Sequence, residues 1–279
     1  MRRIGRALLA VLAFGFGCAA YGYLTLPDVR VLRSQNPSTT AFIDLREREA
    51  SSRGDTLRRV QRWVPYNRIS PHLTRAVLVA EDGTFWRHDG VDYDQLRDAV
   101  EVSVERMEFV RGASTITQQL AKNLYLSPSK NPIRKLRELI IARRLEAELS
   151  KQRILELYLN VIEWGDGIYG AEAAARQYFR TSAAQLGPQE SALLAAALVN
   201  PHLLDPGHPT ARLRRRQQMI LKRMGGVTPP AVESAGPAIE SPPALPSTPV
   251  LPDALPGEPI PVGKVPTGRG GDIRPDGSR

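Results

Sequence analysis

The sequence is poor in the residues that cross-link small folds. One cysteine, Cys18, among 279 residues cannot close an internal disulfide, and four scattered histidines lack the spacing of a structural zinc site. A disulfide scaffold and a zinc ribbon or finger are therefore excluded. Alternating strand patterns are scarce, which argues against an all-β domain. The Gly-Lys-Ser/Thr ending of a phosphate-cradling Walker loop is missing. Acidic residues are the minority: 29 Asp+Glu against 38 Lys+Arg leave a net charge of +9. An anionic partner is expected, and charge alone leaves nucleic acid, a lipid surface and a phosphorylated substrate equally open.

What is present divides the chain into four parts. Residues 1–6 are short and basic, with Arg2, Arg3 and Arg6. From Ala7 to Leu26 no residue is charged, and twenty residues at about 1.5 Å each match a hydrocarbon core of roughly 30 Å. This reads as a single-pass anchor whose N-terminus the three arginines hold in the cytoplasm, with Tyr21 and Tyr23 at the outer interface. Everything after Leu26 is then expected outside the cytoplasmic membrane, which removes nucleic acid as a partner. A cleaved signal peptide is the rival reading, because Cys18-Ala19-Ala20 is a patch of small residues. At the other end, residues 228–279 hold 13 of the 23 prolines. They show no helical period and are expected to form a disordered tail.

Between these ends, residues 29–225 read as one all-α domain. Asn131-Pro132 supplies a cap and a proline suited to the first helical position, and Ile133, Leu136, Leu139 and Ile140 follow at helical spacing. Ser150 can cap the next helix, Lys151 to Asn160, with Ile154, Leu157 and Tyr158 facing inward. Gly165-Asp166-Gly167 turns the chain before a helix from Ala171 to Tyr178, and Glu190 to Val199 reads as a buried helix. A helix from Leu73 to Ala80 should deliver Glu81 at its C-terminal end. Pro37 to Pro65 carries no clear pattern.

Three stretches concentrate the chemistry. Glu81 to Asp92 packs four acids, His88, Phe85 and Trp86 into twelve residues. A carboxylate after the apolar run Ala76 to Ala80 is partly desolvated, which suits Glu81 to proton transfer, while a solvated acidic turn anchored by its aromatics is the plainer alternative. Gly112 to Asn123 is a run of small, hydroxyl and amide residues with one lysine. It reads either as a capped polar helix start or as a surface that closes on a sugar or phosphate. In the third, Lys130, Arg134, Lys135 and Arg137 stand beside Glu138, with Arg134 and Lys135 on the helix face of Glu138. That pattern fits a solvated salt-bridged face, or a cationic pocket for a diphosphate with a carboxylate inside it.

Taken together, these blocks resemble the signatures of the bacterial peptidoglycan glycosyltransferases, glycosyltransferase family 51. Glu81-Asp82…Phe85…His88…Gly90…Asp92 is similar to the first signature, Gly112 to Asn123 to the second, and Arg134-Lys135…Glu138 to the third. Lys151…Ile154-Leu155-Glu156…Tyr158-Leu159-Asn160 resembles the fourth, and Gly165 to Phe179 a fifth. The resemblance implies a lysozyme-like helical domain that polymerises lipid II into β-1,4 glycan strands, with inversion and release of undecaprenyl diphosphate.

It also implies roles. Glu81 would be the general base and Glu138 a second carboxylate near the leaving diphosphate, where it could hold Mg²⁺ or Mn²⁺. Lys122, Lys130, Arg134 and Lys135 would neutralise the diphosphate. Asp82, Phe85, His88, Ser114, Thr115, Gln118, Gln119 and Asn123 would bind or shape the substrate sites. Lipid II, the nascent glycan strand, the cytoplasmic membrane and other cell-wall synthesis proteins are the expected partners. The Ser-x-x-Lys, Ser-x-Asn and Lys-Thr-Gly set of a transpeptidase is not assembled in this sequence, so a monofunctional enzyme is expected. A membrane-anchored lytic murein hydrolase is the alternative, but it cuts neutral glycan and has no use for the cationic cluster.

Overall fold

The computed structural model describes residues 2–56, 59–106, 114–129 and 131–225. The proline-rich stretch 228–279 and Lys130 lie outside the described residues. The chain enters through helix α1 (Arg2–Leu24), whose segment Ile4–Leu24 is long and apolar enough to cross a membrane. Leu26, expected as the last residue of the span, instead packs into the domain core at 9% exposure. The break falls before it because Pro27 follows and cannot continue a helix.

The domain then runs through α2 (Ala41–Ser52), strand β1 (Val60–Gln61), α3 (Pro71–Glu81) and α4 (Tyr93–Arg106). Next come α5 (Ile116–Tyr125), α6 (Pro132–Glu148) and α7 (Lys151–Val161), then the short strands β2 (Glu163–Gly165) and β3 (Ile168–Tyr169). Helices α8 (Ala171–Phe179), α9 (Pro188–Ala197) and α10 (Ala211–Met224) close it. Side-chain caps start the helices that frame the site. Ser70, Thr115, Asn131, Ser150 and Thr210 each accept a backbone N–H of the first turn, and Pro71 and Pro132 occupy first helical positions.

Packing is organised around α3 and α5. Helix α5 lies against α6 and α7, while α3 lies against α9 and α10. Their shared core includes Leu73, Val77, Leu78, Ile116, Leu120, Ile141, Leu145, Ile154 and Leu157, all fully buried. Helix α9 is apolar nearly all round and sits inside, as its composition requires.

Helix α6 departs from expectation. Its stripe Ile133, Leu136 and Ile140 faces outward, with Ile133 69% exposed, while Glu138, Ile141, Ala142 and Leu145 face the core. The inward face thus carries three apolar side chains beside Glu138, whose two oxygens are taken by Arg134 and Lys135. The same helix grips the end of α1: Arg137 donates to the Thr25 carbonyl at 3.0 Å, and the Arg144 guanidinium sits 4.5 Å from the Tyr23 ring centre.

A three-stranded sheet, order β1-β3-β2, lies beside α7 and α8, with β1 parallel and β2 antiparallel to β3. Gly170 turns the chain from β3 into α8 with φ +85°, where an added Cβ would stand 2.8 Å from the Asn160 carbonyl oxygen. Gly170→Ala is therefore expected to cost about 3 kcal/mol, from left-handed strain and backbone collision together. Urea unfolding of the two proteins checks this, and a loss below about 1 kcal/mol would contradict it.

Candidate active site

Glu81 ends α3, and burial pushes its carboxyl above the ordinary value of 4.5. Three groups pull the other way: a hydrogen bond from Gln119, and the positive charges of Arg216 and Lys122. Desolvation outweighs them, because the charged form loses water that only partial substitutes replace. Glu81 lines a cleft of about 370 Å³ together with Val79, Ala80, Asp82, Gly83, Gln95 of α4 and Arg223 of α10.

The residues after Glu81 continue along the cleft wall through Asp82 and Gly83. Asp82 is buried and accepts the Ile116 N–H at 2.9 Å, which ties the end of α3 to the start of α5. His88 Nδ1 accepts the Gly90 N–H at 3.1 Å, so Nε2 carries the hydrogen and donates to both Asp82 oxygens at 3.0 and 3.1 Å. Phe85 is fully buried, with the Lys151 ammonium 4.5 Å from its ring centre. Lys151 in turn bonds Glu146 at 2.8 Å and the His88 carbonyl. Asp82, Phe85 and His88, expected at the substrate, are thus joined in a packed network next to Glu81, and Asp82 also lines the cleft. Position along the signature showed their chemistry but not their direction.

Helix α5 brings the second stretch to the same place. Thr115 donates its hydroxyl to the Gly90 carbonyl at 2.7 Å, and Gln118 Nε2 donates to the same oxygen at 3.1 Å. Gln119 Nε2 donates to Glu81 Oε2 at 2.9 Å, while its Oε1 accepts the Tyr158 hydroxyl at 3.0 Å. Asn123 spends its amide on the Gln119 carbonyl within the helix, at 2.8 Å.

The third stretch forms a separate cluster. Glu138 is 3% exposed, and its two oxygens take Arg134 Nη1 and Lys135 Nζ, each at 2.5 Å. Lys135 Nζ also donates to Gln118 Oε1 at 2.9 Å and to Ser114 Oγ at 3.2 Å. Lys122 is buried enough that its ammonium is pushed below 10.5, with Glu138 and Glu81 both pulling it back up. Lys122, Arg134 and Lys135 against Glu138 leave this cluster with a formal surplus of two positive charges (3 − 1 = 2).

Glu138 does not fit a divalent cation by itself. Both of its oxygens already serve cations, and like charges crowd the space around it. Among the described residues, the three ligating side chains that gather are Glu163, Asp166 and His202, within 4.8 Å of one another. There Arg46 already brings a positive charge, with Nη2 at 2.7 Å from His202 Nε2.

The family model described as Transglycosylase matches residues 49–225. The chain belongs to the transglycosylase family. It is a peptidoglycan glycosyltransferase, and its mostly helical domain is the lysozyme-like domain of that family. Proteins named "Biosynthetic peptidoglycan transglycosylase" are similar to it over most of their length. The one from Dechloromonas aromatica is 49% identical over 189 residues, which are 68% of this chain and 82% of the relative. The one from Aromatoleum aromaticum is 49% identical over 195 residues, 70% and 84% of the two chains. The one from Chromobacterium violaceum is 41% identical over 230 residues, 82% of this chain and all of the relative.

Arg216, Arg223, Gln95 and Tyr158 around the Glu81 carboxylate were not identified from the sequence. The run Arg214-Arg215-Arg216 and Lys222-Arg223 on a helix without an acid was the available signal. The raised affinity of Glu81 for a proton also has a stability consequence. The folded protein holds that proton more tightly than the unfolded chain, so the group favours folding most below pH about 4.5 and loses that contribution as pH rises through the raised value. Glu81→Gln is therefore expected to melt higher than the wild type at neutral pH, with the advantage shrinking toward pH ~4. Thermal melts of both proteins across that range read it, and equal melting points at neutral pH would refute it.

Proposed function

We propose that this transglycosylase polymerises lipid II into β-1,4 glycan strands at the outer face of the cytoplasmic membrane. The observation that carries the reading is the pairing of a partly desolvated Glu81 that lines a cleft with a separate cationic cluster around Glu138, joined by consecutive residues of α5. Glu81 takes the proton of the acceptor's 4-hydroxyl as that oxygen attacks the donor's anomeric carbon. The bond from that carbon to the diphosphate oxygen breaks, and the configuration inverts. Lys122, Arg134 and Lys135 receive the charge that develops on the leaving undecaprenyl diphosphate. Glu138 keeps these cations apart and oriented before the diphosphate arrives. Lys130 belongs to the same group by its place in the sequence. Ser114, Thr115, Gln118, Gln119 and Asn123 shape the donor site, and Asp82, Phe85 and His88 pack next to Glu81.

In this reading the apolar helix ending at Leu24 anchors the protein with residues 1–6 in the cytoplasm, residues 29–225 form the catalytic domain, and 228–279 are a proline-rich C-terminal segment. The nascent strand and lipid II are its substrates, and other cell-wall synthesis proteins are its partners. The test is the full-length protein in detergent micelles with labelled lipid II, with and without a metal chelator. Long glycan strands that a muramidase digests support the reading, and no polymer under either condition defeats it.

A further inference from the structure

Tyr158 lies in the third turn of α7 and is 1% exposed, yet its hydroxyl is turned toward α5 rather than lost in the core. It donates to Gln119 Oε1 at 3.0 Å. The other end of that amide, Nε2, donates to Glu81 Oε2 at 2.9 Å and makes a longer contact of 3.4 Å with the Ser114 carbonyl. A glutamine amide has one accepting end and one donating end, and an ionised carboxylate can only accept. Which end faces Glu81 therefore decides whether Gln119 stabilises the carboxylate or repels it.

We propose that Tyr158 is a positioning residue for the base: its hydroxyl engages the carbonyl end of Gln119 and so fixes the NH₂ end on Glu81. The inference rests on the reading of Glu81 as general base and adds a residue that touches neither substrate nor the reacting atoms. Tyr158 belongs to the buried core, so its hydroxyl is held against Gln119 by packing and not by solvent. Ser114 cannot replace it, because a backbone carbonyl also seeks the NH₂ end and leaves Oε1 without a donor.

Several charges act on the same carboxylate. Asp82 follows it at the end of α3 and opposes ionisation, Lys122 on α5 and Arg216 on α10 favour it, and Arg223 of α10 lines the cleft. Tyr158→Phe leaves all of these in place, so a change in the titration of Glu81 reports the Gln119 amide.

The experiment titrates the Glu81 carboxyl by carbon-13 NMR of full-length protein in micelles, with the signal assigned by its loss in Glu81→Gln. In parallel, the acidic limb of the lipid II polymerisation rate is measured against pH. Tyr158→Phe is expected to raise the Glu81 midpoint by about half a unit to one unit, the scale of one weakened charge-assisted hydrogen bond. Gln119→Leu, which removes the donor altogether, is expected to raise it at least as far. The double variant is expected to match Gln119→Leu alone, because Tyr158 acts only through that amide. A midpoint unmoved in Tyr158→Phe while Gln119→Leu shifts it would overturn the proposal. Additive shifts in the double variant would also overturn it, since a merely structural tyrosine acts independently. A midpoint that moves while the acidic limb of the rate stays put would sustain the positioning role and overturn the assignment of Glu81 as base.

Discussion

Glu81→Gln is expected to lower lipid II polymerisation by roughly three orders of magnitude, within the range that a positioned general base contributes. The change keeps volume and planarity and removes only the ability to take a proton. Gln119 Nε2 can still donate to the side-chain oxygen at this position, so the local hydrogen bond survives. The cationic cluster around Glu138 is untouched, and binding of the lipid diphosphate should persist. The contrast between intact binding and lost turnover is the diagnostic result. A polymer yield within about tenfold of wild type would remove Glu81 from the proton transfer.

Glu138→Ala is expected to be the most damaging single change to the site's architecture. The carboxylate is 3% exposed and satisfies Arg134 and Lys135 at 2.5 Å each. Its removal strands Arg134 and a buried Lys122 as like charges without their anion. Breaking a buried charge pair from one side costs about 3–5 kcal/mol, and the partial exposure of Lys135 argues for the lower figure, about 3 kcal/mol. Inorganic pyrophosphate offers the missing negative charge. It is expected to raise the melting temperature of Glu138→Ala by more than it raises that of the wild type. Urea unfolding gives the loss, and thermal melts with pyrophosphate give the recovery. A destabilisation under about 1 kcal/mol would mean that solvent reaches the cluster freely.

The helices that carry the chemistry were legible because their ends are marked by short-range chemistry. Asn131-Pro132 and Ser150 name the first turns of α6 and α7 without reference to tertiary contacts, and the structure shows Ser70 and Thr115 doing the same for α3 and α5. Helix α2 was not legible, since only Ile43 and Ala50 of its twelve residues are buried and the rest reads as a charged loop. Helix α10 hid behind its arginines, although Leu213, Gln217, Ile220 and Met224 make a continuous inner face at helical spacing. Strands β1 and β3 are two residues long, too short for alternation to register.

At the site, residue type pointed to chemistry, whereas direction came only from packing. Asp82 and His88 spend their polar atoms on α5 and Gly90, which no local pattern announces. The outward stripe of α6 shows the same limit, because apolar residues at helical spacing lie on both of its faces and spacing alone does not say which turns inward.

Gln118 and Gln119 are neighbours in the chain, and they reach opposite reaction partners: one touches Lys135 of the cationic cluster, the other the base. Their helix is held at its start by Asp82 and Gly90 and along its length by α6 and α7. Under the proposed roles, the amides that touch the base and the cationic cluster sit one residue apart on a helix packed on two sides, so a change that displaces α5 would move both contacts together.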